Sequence, residues 1–353
     1  MLRFSRTLTT STINRTRYGF IGLGQMGQHM AKHIYNNLEP TDRLYVYDTN
    51  DKAANTFVDS VTSTKADTNH QLKALKLIPE FITDVEPQLD FIITMVPEGK
   101  HVKGVISDLV ETYKLTNPPR LELGKGITFI DSSTIDIPTS VDVHRYVRSE
   151  LPHFDFIDAP VSGGTAGARR ATLSFMLSRA NQEAVSEPLR KLLGYMGKNI
   201  FPCGSKHGVG LAAKLSNNYL LAVTNLAVAD SFQLANSFGL DLKEYAKLVS
   251  VLTGKSWASV DNCPIPGVYP KEMKLPADDN YEGGFVTKLT RKDLVLATEC
   301  AKANNRFLYL GDIGRHWYDR ACDRPQYANR DLGVLYEWLG HLEVDGEGNL
   351  VEK

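Results

Sequence analysis

Apolar and polar positions follow two regimes along this chain. Up to residue 204, short apolar runs alternate with amphipathic stretches. Residues 18–21, 44–47, 90–96, 128–130, 154–159, 173–177 and 199–203 read as buried strands. Between them, Met26, Met30, Ile34 and Leu38 share one side of a helix, and 182–196 reads as another. Residues 52–88 alternate helix and loop, and the stretch LKALKLIPEF is longer than a compact connector needs. After Gly204 long helical patterns dominate, over 208–238, 241–252, 287–303 and 327–340. The proline-rich stretch NCPIPGVYP at 262–270 is a loop, and the polar last ten residues read as frayed.

Strand and helix in alternation predict an α/β domain with a doubly wound, mostly parallel sheet. An all-helical second part follows, with the boundary near residue 205. That gives 17–204 as the sheet domain and 205–353 as the helical domain, the latter for substrate and dimerisation. A chain of 353 residues exceeds one ordinary core, which agrees with two domains.

The helix predicted at 208–238 stands out. No charge occurs between Leu215 and Ala229, so most of it should be buried. Lys214 and Asn218 lie four apart and share a face. A lysine beside an amide on an apolar helix needs a reason. Snorkelling to solvent is one, and proton chemistry in a cleft is another; position alone leaves both open.

Composition narrows the class. Forty Lys and Arg against 41 Asp and Glu leave a net charge of −1, which supports neither nucleic acid nor an anionic membrane as partner. No run of about 18 uncharged apolar residues predicts a transmembrane helix. The four cysteines are scattered, and neither they nor the nine histidines form a pair at metal-ligand spacing, so no metal is predicted. Residues 1–16 carry Arg3, Arg6 and Arg15, many hydroxyls and no acid; the first acid is Glu39. This is the composition of a mitochondrial presequence cleaved shortly before Tyr18, and it predicts the mitochondrial matrix.

Gly22, Gly24 and Gly27 follow the first strand at G-x-G-x-x-G spacing and open a helix. The second strand ends in Asp48. This is the context of a dinucleotide-binding Rossmann turn, with Leu23, Gln25 and Met26 completing the loop around the pyrophosphate. Asp48 would take the ribose hydroxyls and repel a 2′-phosphate, which favours NAD over NADP. The strand-end loops at Val96–Pro97 and Ser132–Thr134 face the same crevice. They are candidate cofactor contacts, although DSST is equally a good helix cap. A second glycine-rich turn, Ser162, Gly163 and Gly164, offers a hydroxyl and backbone N–H groups suited to a carboxylate, or else a tight strand-to-strand turn.

A nicotinamide cofactor takes hydride, so the protein must supply a proton acceptor for an alcohol. No histidine has a suggestive setting, and Lys214 is the best candidate. Burial lowers a lysine's pKa towards that of a usable base. Asn218, one turn on, would hold substrate or orient the amine.

GFIGLGQMG, ITMVP, IDSST, DAPVSGG, GxGxxxKLxNN and FxxxLxxKDLxLA occur here in this order. Together they resemble the 3-hydroxyisobutyrate dehydrogenase family within the β-hydroxyacid dehydrogenases, from about Tyr18 to beyond Asp331. The PIPGV loop and the presequence resemble that family in particular. The resemblance implies that Lys214 is the catalytic lysine and Asn218 its substrate-contacting partner. It implies that Ser162, Gly163 and Gly164 bind the substrate carboxylate, and that Val96, Pro97, His101 and Thr134 touch NAD. Lys292 would reach into the cleft from the helical domain, and Trp257 and Phe285 would wall the pocket. Glu98 to His101 depart from the small or amide side chain common there, and the stretches near 70–80 and 113–125 look inserted. The implied activity is NAD-dependent oxidation of 3-hydroxyisobutyrate to methylmalonate semialdehyde, in valine breakdown, by a homodimer or homotetramer. Another short β-hydroxyacid, such as serine, tartronate semialdehyde or 4-hydroxybutyrate, fits the same motifs. A non-catalytic NAD-binding protein fits less well, because Lys214 and Asn218 are retained.

Overall fold

The computed structural model describes residues 15–63, 71–86, 88–116, 126–347 and 349–352. Most of the expected presequence and most of the stretch at 113–125 lie outside the described residues. The first half runs β1 (Arg17–Ile21), α1 (Gly27–Asn36), β2 (Arg43–Tyr47), α2 (Asp51–Thr62), β3 (Leu72–Ala74), α3 (Glu80–Thr83), β4 (Phe91–Thr94), α4 (Gly99–Thr116), β5 (Thr128–Asp131), α5 (Ile137–Glu150) and β6 (Asp155–Asp158). These six strands form one parallel sheet in the order β3-β2-β1-β4-β5-β6. The order reverses between β1 and β4, and a doubly wound sheet opens its ligand crevice at the carboxyl ends of such a pair. Apolar clusters pack both faces, as an all-parallel sheet requires.

β3 lies within the stretch expected to be helix and loop. Leu72 and Leu75 are buried while Lys73 is exposed, and Leu75 N–H donates to Val46 O at 2.8 Å. Three residues are too short for a period-two pattern to register. After β6 come β7 (Val161–Ser162), α6 (Gly164–Arg169), β8 (Leu173–Leu177), α7 (Glu187–Met196) and β9 (Gly197–Pro202). β7, β8 and β9 make a separate mixed sheet, joined to the end of β6 by bonds from Met176 N to Pro160 O and Ser178 N to Asp158 O, both 3.1 Å. α7 starts later than the pattern predicts, because 181–186 form a turn ahead of Pro188.

The second half comprises α8 (Val209–Ser237), α9 (Leu242–Val251), α10 (Thr287–Ala303), α11 (Gly311–Cys322), α12 (Pro325–Ala328) and α13 (Leu335–Leu339). It ends in a hairpin of β10 (Leu342–Val344) and β11 (Leu350–Glu352), where fraying was expected; Arg324 on α12's flank pairs with Glu352 and holds it. α11 carries two glycines that masked its pattern. Both are contact points: a Cβ on Gly314 would lie 3.2 Å from Leu294 on α10. The helix expected over 327–340 is broken between α12 and α13, where Asp331 turns its carboxylate inward.

α8 spans 29 residues and is not buried all round. Leu211, Leu215, Ala222, Leu226 and Phe232 are buried, but Leu220 and Leu234 are more than 60 % exposed. Its start is fixed tightly to the sheet. Asp158, at the end of β6, accepts Gly208 N–H at 2.9 Å and Leu211 N–H at 3.0 Å. Gly208 has φ +88°, and a Cβ on Gly210 would come 2.3 Å from Met176 O, so both positions require glycine. Among the described residues no helix is long and apolar enough to cross a membrane.

Candidate active site

The glycine loop between β1 and α1 divides its labour as a dinucleotide turn does. Gly22 has φ +98°, and a Cβ there would meet Met95 O at 2.3 Å. A Cβ on Gly27 would meet Gly22 O at 1.9 Å, so this glycine allows helix and strand to close. Gly24 has nothing within 4 Å and faces open space, as backbone approached by a pyrophosphate must. No side chain caps α1, which leaves its N-terminus to an anion. Leu23 is buried, Gln25 exposed and Met26 half-buried along the loop. Asp48 follows β2 directly. Its carboxylate accepts Leu23 N–H at 2.7 Å and Asn50 N–H at 2.9 Å, which aims it at the glycine loop. These residues fit a dinucleotide.

The loops after β4 and β5 are brought together. Val96 N–H donates to Ser133 Oγ at 2.9 Å. Asp131 accepts the Thr94 hydroxyl at 2.8 Å and Ser133 N–H at 3.1 Å. DSST therefore ties strand ends rather than capping a helix; the cap of α5 is Asp136, which accepts Thr139 N–H. Burial pushes the Asp131 carboxyl up to about 6. Lys292 crosses from α10 to these loops, donating from Nζ to Thr134 O at 2.7 Å and Pro97 O at 3.3 Å. His101 lies exposed in the first turn of α4.

Lys214 is 8 % exposed, and its Nζ has no hydrogen-bond partner among the described residues. Burial lowers its pKa; Asp293 pulls it back up and Lys292 pushes it further down. The snorkelling alternative does not hold at this burial. Asn218, 3 % exposed, donates from Nδ2 to Asp293 Oδ2 at 2.6 Å, and Asn217 donates to Asn218 Oδ1 at 3.2 Å. Lys292 Nζ lies 3.8 Å from Asp293 Oδ1. The site thus holds two lysines, one amide and one buried carboxylate. Burial raises Asp293, and both lysines act against that rise.

Asp293 and Asp158 were not singled out in the sequence. Asp158 is an acid closing β6 directly before the apolar Ala159–Val161 stretch, a signal that could have been used. Asp293 is adjacent to Lys292, and neighbours in a helix face different ways, so the sequence could not say which one turned inward.

Ser162 is half-buried in β7, and Gly163 and Gly164 are exposed at φ +129° and +58°. The turn leads into α6 rather than into another strand. It leaves the same strand end, Asp158, that anchors α8, but no hydrogen bond joins it to Lys214 or Asn218 among the described residues. Phe285 is partly buried and packs on the cluster that contains Ala222 of α8 and Leu294 of α10. Trp257 stands 48 % exposed on the turn after α9, away from an enclosed wall. Among the described residues no cluster suits a metal.

Two family models cover the chain. The model described as the NAD binding domain of 6-phosphogluconate dehydrogenase matches residues 17–204. The one described as NAD-binding of NADP-dependent 3-hydroxyisobutyrate dehydrogenase matches 208–339. With the fold, they define an NAD(P)-binding oxidoreductase built on a Rossmann-type sheet and a helical C-terminal region. The Homo sapiens mitochondrial 3-hydroxyisobutyrate dehydrogenase is 34% identical over 344 residues, covering 97% of this chain and 92% of that protein. The Drosophila melanogaster protein of the same name is 34% identical over 321 residues, covering 91% and 88%. The solved Mycobacterium tuberculosis 3-hydroxyisobutyrate dehydrogenase with L-serine matches at TM-score 0.77 and 30% identity, over 92% of this chain and 99% of that one. The chain belongs to the 3-hydroxyisobutyrate dehydrogenase family. The fold class, the family read from the ordered motifs and the nicotinamide cofactor are borne out.

Proposed function

We propose that the chain oxidises 3-hydroxyisobutyrate to methylmalonate semialdehyde with NAD. The observation that carries this reading is Lys214, buried on α8 within the Asn218–Asp293 pair, while Lys292 reaches the cofactor loops. When bound, the nicotinamide supplies the acceptor for hydride from the hydroxymethyl carbon. Lys214, whose pKa burial lowers, takes the hydroxyl proton and becomes an ammonium beside Asp293. Asn218 holds the substrate oxygen or the amine, with its own amide oriented by Asp293. Ser162, Gly163 and Gly164 bind the carboxylate, and Phe285 bounds the side group, with Trp257 at the rim. Gly22 to Gly27, Val96, Pro97, His101, Thr134 and Lys292 form the cofactor cradle. Asp48 selects NAD through the ribose hydroxyls.

Residues 17–204 serve as the cofactor domain and 205–353 as the substrate and dimerisation domain. The exposed Leu220, Leu234 and Phe238 on and after α8 suit a homodimer or homotetramer interface, which light scattering on the purified chain reads directly. Residues 1–16 act as a presequence for the mitochondrial matrix, in line with the naming of the animal relatives as mitochondrial.

A second reading is L-serine as substrate, favoured by the Mycobacterium tuberculosis relative solved with it. Both are 3-hydroxyacids, and the same carboxylate turn and lysine serve either. A panel of 3-hydroxyisobutyrate, L-serine and 4-hydroxybutyrate, followed at 340 nm with NAD and NADP, separates them. The reading expects the highest kcat/KM for 3-hydroxyisobutyrate with NAD. A higher value for L-serine replaces the substrate, and turnover of none overturns the enzyme.

A further inference from the structure

The break between α12 and α13 carries a device that the catalytic residues do not use. Asp331 is 1 % exposed, yet no lysine or arginine pairs with it among the described residues. Its donors are neutral. Oδ1 accepts Asn262 Nδ2–H and Gly333 N–H, each at 2.8 Å, and Oδ2 accepts Phe285 N–H at 2.7 Å. One carboxylate therefore joins the proline-rich loop, the Gly283–Gly284 turn and the start of α13's segment. Gly284 has φ +59°, and a Cβ there would lie 2.0 Å from Asp331 Oδ2, so the turn is shaped around the carboxylate.

The backbone repeats the connection. Asp331 N–H donates to Tyr281 O at 2.8 Å and Leu332 N–H to Phe285 O at 2.9 Å. Thr287, the first residue of α10, donates from N–H and Oγ1 to Arg330 O at 2.8 and 3.0 Å. Asn225 of α8 donates to Leu332 O at 2.9 Å. The Asp331 segment is thus where α8, α10 and the proline-rich loop meet. Lys214 and Asn218 lie on α8; Lys292 and Asp293 lie on α10, with Asp293 about 9 Å along the helix from its first residue.

Burying a carboxylate without a cation carries a desolvation cost, which neutral donors only partly offset. A carboxylate can accept all three N–H groups at once, which an amide or an apolar side chain cannot, so it fixes the three segments in one geometry. The cost is intelligible when the geometry it fixes is needed elsewhere. We infer that Asp331 is a positioning residue for the reaction, holding α10 in register against α8 and Phe285 against the substrate pocket. It rests on the reading that Lys214 takes the proton with Asn218 and Asp293 beside it.

The direct test is Asp331→Asn in the full chain, where an amide N–H must face one of the three N–H donors. Steady-state kinetics with 3-hydroxyisobutyrate, NAD binding and the pH dependence of kcat/KM are read together. The expected result is a KM for the hydroxyacid raised about tenfold or more, from lost positioning, with NAD binding within about twofold of the parent. The limb of the pH profile governed by Lys214 moves upward, as a loosened site admits water. Unchanged KM and an unchanged limb, with only a lower Tm, overturn the proposal, as does weakened NAD binding at unchanged KM. If Asp331→Asn does not fold, Gly284→Ala puts a methyl against the same carboxylate and must give the same pattern. Lys214→Met in the same assay keeps the two readings apart: its turnover reports the proton acceptor, and the KM of Asp331→Asn reports the positioning.

Discussion

At the scale of single residues, the site depends on charges kept where water would normally screen them. Lys214 and Asp293 are both pushed towards their neutral forms by burial, while each favours the charged form of the other. Such a pair titrates as a unit, and removing either member changes the other. Asp48 works differently, because it sits at the rim with two backbone N–H groups on its carboxylate. Asp48→Asn should weaken NAD and lessen the rejection of NADP. The ratio of kcat/KM for NADP over NAD is expected to rise about tenfold, the usual worth of one charge-assisted hydrogen bond. An unchanged ratio would place cofactor selection elsewhere.

At the scale of elements, α5 touches the chain just ahead of α8, close to where Asp158 ties the helical half to the sheet. His207, next to Gly208, stacks on His144 of α5, and neither Nδ1 has a partner among the described residues. Burial first, and then His144, depress His207 to about 4; Asp158 and Asp155 oppose this and Arg179 adds to it. A histidine depressed below its ordinary 6.5 binds its proton in the unfolded chain before it does in the folded one. Stability is therefore unaffected above that value and falls as pH drops from 6.5 towards 4. His207→Gln should flatten the fall in Tm between pH 7 and pH 5; parallel curves for the two proteins would exclude this junction as the cause.

Elements were legible where the periodicity was long or the punctuation strong. β1, α1 and β2 came from a strand, three glycines and an acid in fixed order, and α8, α9 and α10 from sustained helical patterns. β3 was hidden by its length and α11 by glycines that serve packing. The stretch at 327–340 read as one helix because Asp331 looks like an ordinary helix-surface acid until its partners, 46 and 69 residues away, are known. The same limit applied to the site. Lys214 and Asn218 were visible because they interrupt an apolar face, whereas Asp293 became visible only when α10 packed on α8.

At the scale of the molecule, the proposed reaction draws its cofactor contacts and its proton acceptor from different halves of the chain. The glycine loop, Asp48 and the loops at Val96 and Thr134 belong to the sheet. Lys214, Asn218 and Asp293 belong to the helical half, and Lys292 crosses to the cofactor loops. This division makes the central claim separable in one experiment. Lys214→Ala should still bind NAD as the parent does, since no sheet contact is removed. Its turnover at 340 nm should fall on the order of a thousandfold, the scale of a lost general base. The parent's kcat/KM should climb with pH through a value below a lysine's ordinary 10.5, and the variant should lack that limb. A Lys214→Ala enzyme that keeps most of its turnover and the same pH limb would contradict the account.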